Sequence, residues 1–456
     1  MQSLSRDMNM GILDHQEKMS PGRQGDLFQD TSDSSEVKRI RGFVASREAA
    51  LRGLESFLSG AADDYRKKRN VDFGSNKHAF VSQLSPYISS GLISEKEIII
   101  QVLERHSLDK AYKFIQEVFW RSYWKGWLEH RPNLWQCYWE LLTSSFDSVM
   151  ANPAAQTIYF KACEGQTDIA VFNSWVKELK ETGYLHNHAR MWFASIWIFT
   201  FKLPWELGAD LFYRHLLDGD PATNTLSWRW VAGLHTRGKI YLATKQNIAK
   251  FAKGRLLDMG VGDRGLENLS QDPLTIQESL PSSAFKLAAV QEKRVNYQCE
   301  PGERRGFLFT EGGLSTIPPD FITNAAGLRL EGRSPIESSS DLVDSFLRQA
   351  IRSTLSRIAT EDKRLLVEDR RLLSIREVVE WAKKHQLNSV LVAYAPQGPY
   401  HEALKVLKGE LGFHDIELKE VGSAYDQSIW RHSRRGFFHL NNKIPEILQS
   451  LDLVRS

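Results

Sequence analysis

From Arg39 to about Leu257 the apolar residues mostly recur at helical spacing, as at Ile98, Ile99, Val102 and Leu103 or at Phe114, Val118 and Tyr123, with few alternating runs. This stretch is expected to be all-helical. Between Ser270 and Ser283 the composition turns to Ser, Pro, Gln and Asp, which reads as a linker or long loop. Beyond it the rhythm changes. Gly306 to Thr310 is a strand candidate, Leu342 to Ile358 a helix, and Ser389 to Tyr394 a buried strand followed by a Pro-Gln-Gly-Pro turn and a helix from His401 to Leu411. A further strand at Ile416 to Val421 completes an alternating α/β pattern. The expected fold is therefore multi-domain α and α/β: residues 1–37 a disordered tail, 38–265 a helical domain, 266–294 a linker and 295–456 a smaller α/β domain of Rossmann-like type.

Length and charge narrow the picture modestly. The 456 residues, 42% hydrophobic, suffice for two or three domains with proper cores. A formal charge of +3 means that any nucleic-acid binding must come from a local patch. Cys137, Cys163 and Cys299 are widely spaced without a C-x-x-C, which argues against a disulfide scaffold or zinc site and fits a reducing compartment; no metal is implied. The first residues lack the apolar core of a signal peptide, and the apolar stretch from Trp192 to Leu203 is too short to span a bilayer, so a cytoplasmic protein without membrane association is expected.

Eleven of the thirteen tryptophans lie between Trp120 and Trp230, which concentrates the stacking, redox-active side chains in the helical part. Within it, Asp218-Gly219-Asp220-Pro221-Ala222-Thr223-Asn224 has the composition of a polar turn between helices, followed by Trp228-Arg229-Trp230. Glu117, Trp120 and Arg121 stand at i, i+3 and i+4, so a helix turns all three toward one side; Glu117 with Arg121 also suits a plain surface ion pair. Ser82-Gln83-Leu84-Ser85-Pro86 reads equally as a helix cap and turn.

Together these segments resemble the photolyase and cryptochrome family. The chain matches its D-G-D-x-A-x-N pattern followed by W-x-W, its H-N-x-x-R-M stretch at His186 to Met191, and its E-x-x-W-R box at Glu117 to Arg121. Residues 82–94 resemble T-S-x-L-S-P-x-L-x-x-G-x-I-S, with Val81 departing where the family usually has Thr. The resemblance implies a photolyase-type FAD-binding domain. It assigns Tyr65, Ser82, Gln83, Leu84, Ser85, Glu117, Arg121, Asn187, Arg190, Asp218, Asp220 and Asn224 to FAD. In it the serines and helix N-termini cradle the diphosphate, Asp218 pairs with Arg190, Asp220 meets the flavin ring, and Asn224 sits opposite N5. An amide there can hydrogen-bond a protonated flavin without adding charge.

The same resemblance makes Glu117, Trp120, Asn224 and Trp230 the catalytic set, with Trp120, Met191 and Trp230 touching DNA and Lys125, Arg190 or Arg237 holding phosphates at the rim. Trp228 and Trp205 match the inner and middle members of an electron-transfer chain. Its outer member is missing in register, leaving Trp197, Trp192, Trp175 or Tyr159 as alternatives. Tyr184 departs from the usual Trp, and His235 is the nearest histidine to the site, structural or proton-handling.

The expected activity is light-driven repair of pyrimidine dimers in DNA; the alternative is a cryptochrome-like photoreceptor read by a signalling protein. In this chain the flavin region comes before the α/β unit, an order that resembles a less familiar branch. That unit is Rossmann-like or antenna-like, and an antenna chromophore stays open; the Ala395 to Pro399 turn has the placement of a ligand loop without a phosphate fingerprint.

Overall fold

A computed structural model describes residues 42–60, 64–236, 238–260, 262–271, 275–290, 302–330, 332–368 and 372–454. The expected tail at 1–37, and Arg237 and Cys299, lie outside these residues.

Helices fill the chain from Arg47 to Asp258. The longest of them, Leu108–Glu129, buries Ile115, Val118, Phe119 and Tyr123 and is the post against which the others lean. Local chemistry sets the ends that matter for the site. Ser94 and Glu97 form a reciprocal capping box at the start of Glu95–Arg105. Asp220 caps Pro221–Val231 by accepting from the Thr223 amide at 2.7 Å, with Pro221 in the first turn where its missing N–H costs nothing. After Asn187–Ser195 the backbone loosens into a π-turn at Ile196–Thr200, which carries Trp197.

The later strands form one five-stranded parallel sheet: β1 (Arg305–Phe309), β2 (Asn324–Gly327), β3 (Leu366–Val367), β4 (Ser389–Ala393) and β5 (Glu417–Val421), in the order β3-β2-β1-β4-β5. Phe307 stands opposite Ala325 on one side and Leu391 on the other. Alternation along β1 sends Phe307 and Phe309 toward the helical core and Leu308 toward a second, smaller core shared with Val390, Val392 and Leu404. Both faces being covered explains why β1 and β4 carry apolar residues at successive positions.

Two expectations change. Residues 275–290 are not a loose linker: Leu280 and Ala284 are buried, Glu278 pairs with Arg229, and the Ala288 amide bonds to the His130 carbonyl. The last helices, Ala424–Trp430, Phe437–Asn441 and Ile444–Ser450, bury Tyr425, Trp430 and Phe437 in the helical core instead of extending the α/β layer. At Gly126 a Cβ would strike the indole of Trp430 and lie 2.8 Å from Ser433 Oγ, so only glycine lets that segment seat on the long helix.

Candidate functional site

The helices enclose a cavity of about 480 Å³, within the range of small-molecule sites. Its walls include Tyr65, Ser82, Gln83, Leu84, Ser85, Glu117, Trp120, Arg121, Asn187, Arg190, Met191, Asp218, Asn224, Trp228 and Trp230. Residues up to 165 positions apart in the chain thus converge, and these are the ones marked in the sequence; others of the wall, such as Leu185, Phe212 and Ser227, were not.

The best-defined wall is an ion pair. Arg190 donates to both carboxylate oxygens of Asp218 at 3.0 and 2.9 Å, and its Nε donates to the Leu185 carbonyl at 2.9 Å, which fixes the guanidinium plane. The Asp218 side chain is 2% exposed and that of Arg190 22%, so the carboxylate is the buried anchor and the guanidinium the partly open face. The same loop is tied down by Ser89, whose hydroxyl donates to the Asp218 carbonyl at 2.9 Å while accepting from Arg121 at 2.8 Å. Asn224 donates from Nδ2 to the Ala209 carbonyl at 2.7 Å, which sets the plane of its amide. Gln83 holds φ at +52°, a left-handed conformation that costs a non-glycine residue energy and recurs at ligand clamps.

The wall is not neutral. Arg69, Lys113, Arg121 and Arg190 stand against the two carboxylates Glu117 and Asp218, leaving two positive charges uncompensated by the lining acids. Arg121 also keeps its Nε buried without a partner. A dianionic diphosphate attached to a flat aromatic ring suits this donor set, the pocket size and the apolar wall of Val118, Phe212 and Trp228. The fit to FAD therefore rests on charge and an unfilled hydrogen bond as well as on motif.

Asp220 caps a helix and lies beside Lys125 and the cavity-lining Arg121. Although burial opposes it, Lys125 and Arg121 hold the Asp220 carboxyl below its usual range. Lys125 is no phosphate rim: it is buried beside Glu95, Asp220 and Asp426, which outweigh burial and hold its ammonium above the usual value. Burial pushes the Asp426 carboxyl up to about 7. His235 is packed edge-on against Trp124 at 4.6 Å and beside Trp127, behind the wall; burial, then Arg229, push it down to about 4, which makes it a neutral packing group. The helix after Ser85 is five residues long, too short for a useful dipole, so the serine segment contributes hydroxyls and backbone.

Trp205 stacks on Tyr138 at 5.6 Å. Ring contacts from Trp228 run to Trp197 at 6.3 Å and on to Tyr159 at 5.9 Å, two of the residues offered as the outer end of the chain. Gly208 permits this, because a Cβ there would run into the Trp228 ring.

Sequence reasoning missed three partners. Arg69 and Lys113 pair with Glu117 at 2.8 and 3.1 Å. Lys113 was legible at i−4; Arg69 was not, since tertiary folding brings it there. Phe437 stacks on Trp120 with centroids 3.5 Å apart and planes 11° from parallel. No local signal links positions 317 apart.

With this geometry in place, comparison with known proteins defines the class: residues 114–254 match the FAD-binding domain of DNA photolyase. That region is similar to members of the photolyase/cryptochrome family. It is 32% identical over 187 residues to the deoxyribodipyrimidine photo-lyase of Thermus thermophilus, covering 41% of this chain and 42% of that protein. It is 28% identical over 204 residues to a cryptochrome DASH of Idiomarina loihiensis, covering 42% of each. A solved bacterial class III photolyase from Agrobacterium tumefaciens superimposes with a TM-score of 0.39 at 27% identity, over 45% of this chain and 42% of that one. The chain thus spans less than half the length of the relatives it matches. Among the described residues no helix is long and apolar enough to cross a membrane, and no group of three metal-ligating side chains occurs.

Proposed function

We propose that this protein is an FAD-dependent, photolyase-like enzyme that uses blue or near-ultraviolet light to repair pyrimidine dimers in DNA. The observation that carries this reading is the joining, in one positively charged cavity, of the Arg190–Asp218 clamp and Asn224 with Glu117, Trp120 and Trp230. Bound there, FAD supplies a light-excited, reversible one-electron donor. Arg190, held flat by Asp218 and Leu185, orients the flat ring; Arg69, Arg121 and the Ser82–Ser85 hydroxyls suit the diphosphate. The fixed amide of Asn224 offers a neutral hydrogen-bonding edge that stabilises a proton on the ring without adding charge. Trp228, buried behind Gly208, keeps water from that end. The flipped pair of linked pyrimidines stacks on Trp120 and Trp230, and such stacking is worth roughly 1–3 kcal/mol per base against an extrusion cost of a few kcal/mol.

One observation favours a second reading, a cryptochrome-like photoreceptor: Trp120 already has Phe437 on one face, and Glu117 is already engaged by two cations. An illuminated repair assay separates the two. Reduced, flavin-loaded protein is expected to restore dimer-containing oligonucleotides under blue light, and Glu117→Ala to abolish this while keeping flavin. Yellow protein without repair leaves the photoreceptor; colourless protein releasing no flavin on denaturation removes both.

A further inference from the structure

Outside the cavity, residues 431–439 read Arg-His-Ser-Arg-Arg-Gly-Phe-Phe-His, a density of cations and aromatics that neither the sheet nor the cavity uses. The backbone of this segment is fastened to the long helix and its end. Tyr123 donates to the Arg435 carbonyl at 3.0 Å, Arg131 donates to the Arg434 carbonyl at 3.1 Å, and Ser433 is fully buried against Gly126. Phe437 turns inward onto Trp120, which lines the cavity.

What the fastening leaves outside is equally definite. Arg434 and Arg435 are exposed and make no ion pair among the described residues. Phe438 is 81% exposed, a large apolar ring held in water beside two arginines. Arg131 lies over the Trp127 ring at 3.8 Å, and burial, with Arg434 nearby, pushes its guanidinium down to about 10. Two neighbouring arginines without an ion pair among the described residues are unfavourable alone and favourable against a polyanion.

We infer that the Arg431–His439 strap is a docking platform for single-stranded DNA, with Arg434 and Arg435 on successive phosphates and Phe438 stacking a base as the strand passes toward Trp120. This rests on the reading of DNA as the substrate. Exposed aromatics favour a single strand over a duplex because only unpaired bases offer a free ring face. The Trp120–Phe437 stack joins platform and cavity, so a strand held here lies one ring away from the cavity wall.

The test uses the full-length protein in the dark with undamaged, fluorescently labelled oligothymidine and a duplex of equal length, read by anisotropy against salt. Arg434→Ala/Arg435→Ala is expected to reduce the salt slope by roughly 1.4 and weaken binding. Phe438→Ala is expected to lose roughly tenfold on the single strand and much less on the duplex. Unchanged flavin absorbance in both variants shows that the fold is intact. Wild-type affinity and slope in the variants overturn the platform, as does an equal loss on duplex after Phe438→Ala, or an absence of single-strand binding by the unaltered protein. Loss of binding in the variants of a protein that fails the light assay leaves the platform standing and removes repair; normal repair with unchanged variant binding does the reverse.

Discussion

The helical cavity and the carboxyl ends of the sheet are both places where folds of these types hold ligands, and this protein treats them oppositely. The cavity keeps uncompensated positive charge and a buried donor without a partner. The strand ends are filled by the chain itself. Glu129, from the long helix, accepts from Tyr394 Oη at 2.6 Å and from the Gln397 amide at 2.7 Å. A Cβ on Gly398 would lie 2.8 Å from Pro221 Cγ, and Arg333 donates to the Gly219 carbonyl at 2.8 Å. The Ala395–Pro399 turn, placed like a ligand loop, is therefore a brace for the 218–221 loop. Its occupant is the other half of the same molecule, so the sheet stiffens the cavity wall instead of opening a second site.

Breaking the clamp should have the largest effect. Arg190→Ala strands the nearly inaccessible Asp218 carboxylate, a loss of about 3–5 kcal/mol for a buried pair. Flavin content, read as absorbance near 450 nm, should fall at least tenfold, and retention of flavin would remove the clamp from the site. Glu129→Gln tests the brace. It keeps the shape but weakens two charge-assisted hydrogen bonds, for about 1–3 kcal/mol in denaturant unfolding; flavin should be retained, and its loss to the degree seen with Arg190→Ala would erase the distinction between the regions.

The smallest effect is one of sign with pH. His235, behind the cavity, has a folded value near 4 against about 6.5 unfolded, so its contribution is present above 6.5 and lost as pH falls toward 4. Between pH 7 and 5 this amounts to about 1–2 kcal/mol. Burial pushes the Glu129 carboxyl up, so its contribution is present at low pH and lost as pH rises through the raised value. His235→Asn should make the rise in stability with pH on the acid side shallower, and Glu129→Gln should make it steeper. Both variants changing that slope in the same direction would contradict the contrast.

The helical region was legible because helical periodicity and capping are local: Ser94 with Glu97, or Asp220 with Thr223, act within one turn. β1 and β4 were legible as apolar runs and β5 from its place in the alternating α/β rhythm; β2, Asn-Ala-Ala-Gly, was not, because its strand state comes from β1 on one side and β3 on the other. Most of the cavity wall was legible for a different reason. Its residues sit in short stretches, 82–85, 117–121, 187–191 and 218–230, whose internal spacing carries the resemblance.

By itself the sequence determined which side chains are grouped within each of those stretches, since covalent spacing and helix geometry fix neighbours up to about four residues apart. Only the tertiary structure decided what faces what. It set Asp220 beside Lys125, brought Trp197 against Trp228, laid Phe437 on Trp120 and filled the sheet's open end with Glu129 and Pro221. Such pairings join positions tens to hundreds of residues apart, and burial, charge and shape across the whole fold select them; no local pattern encodes that choice.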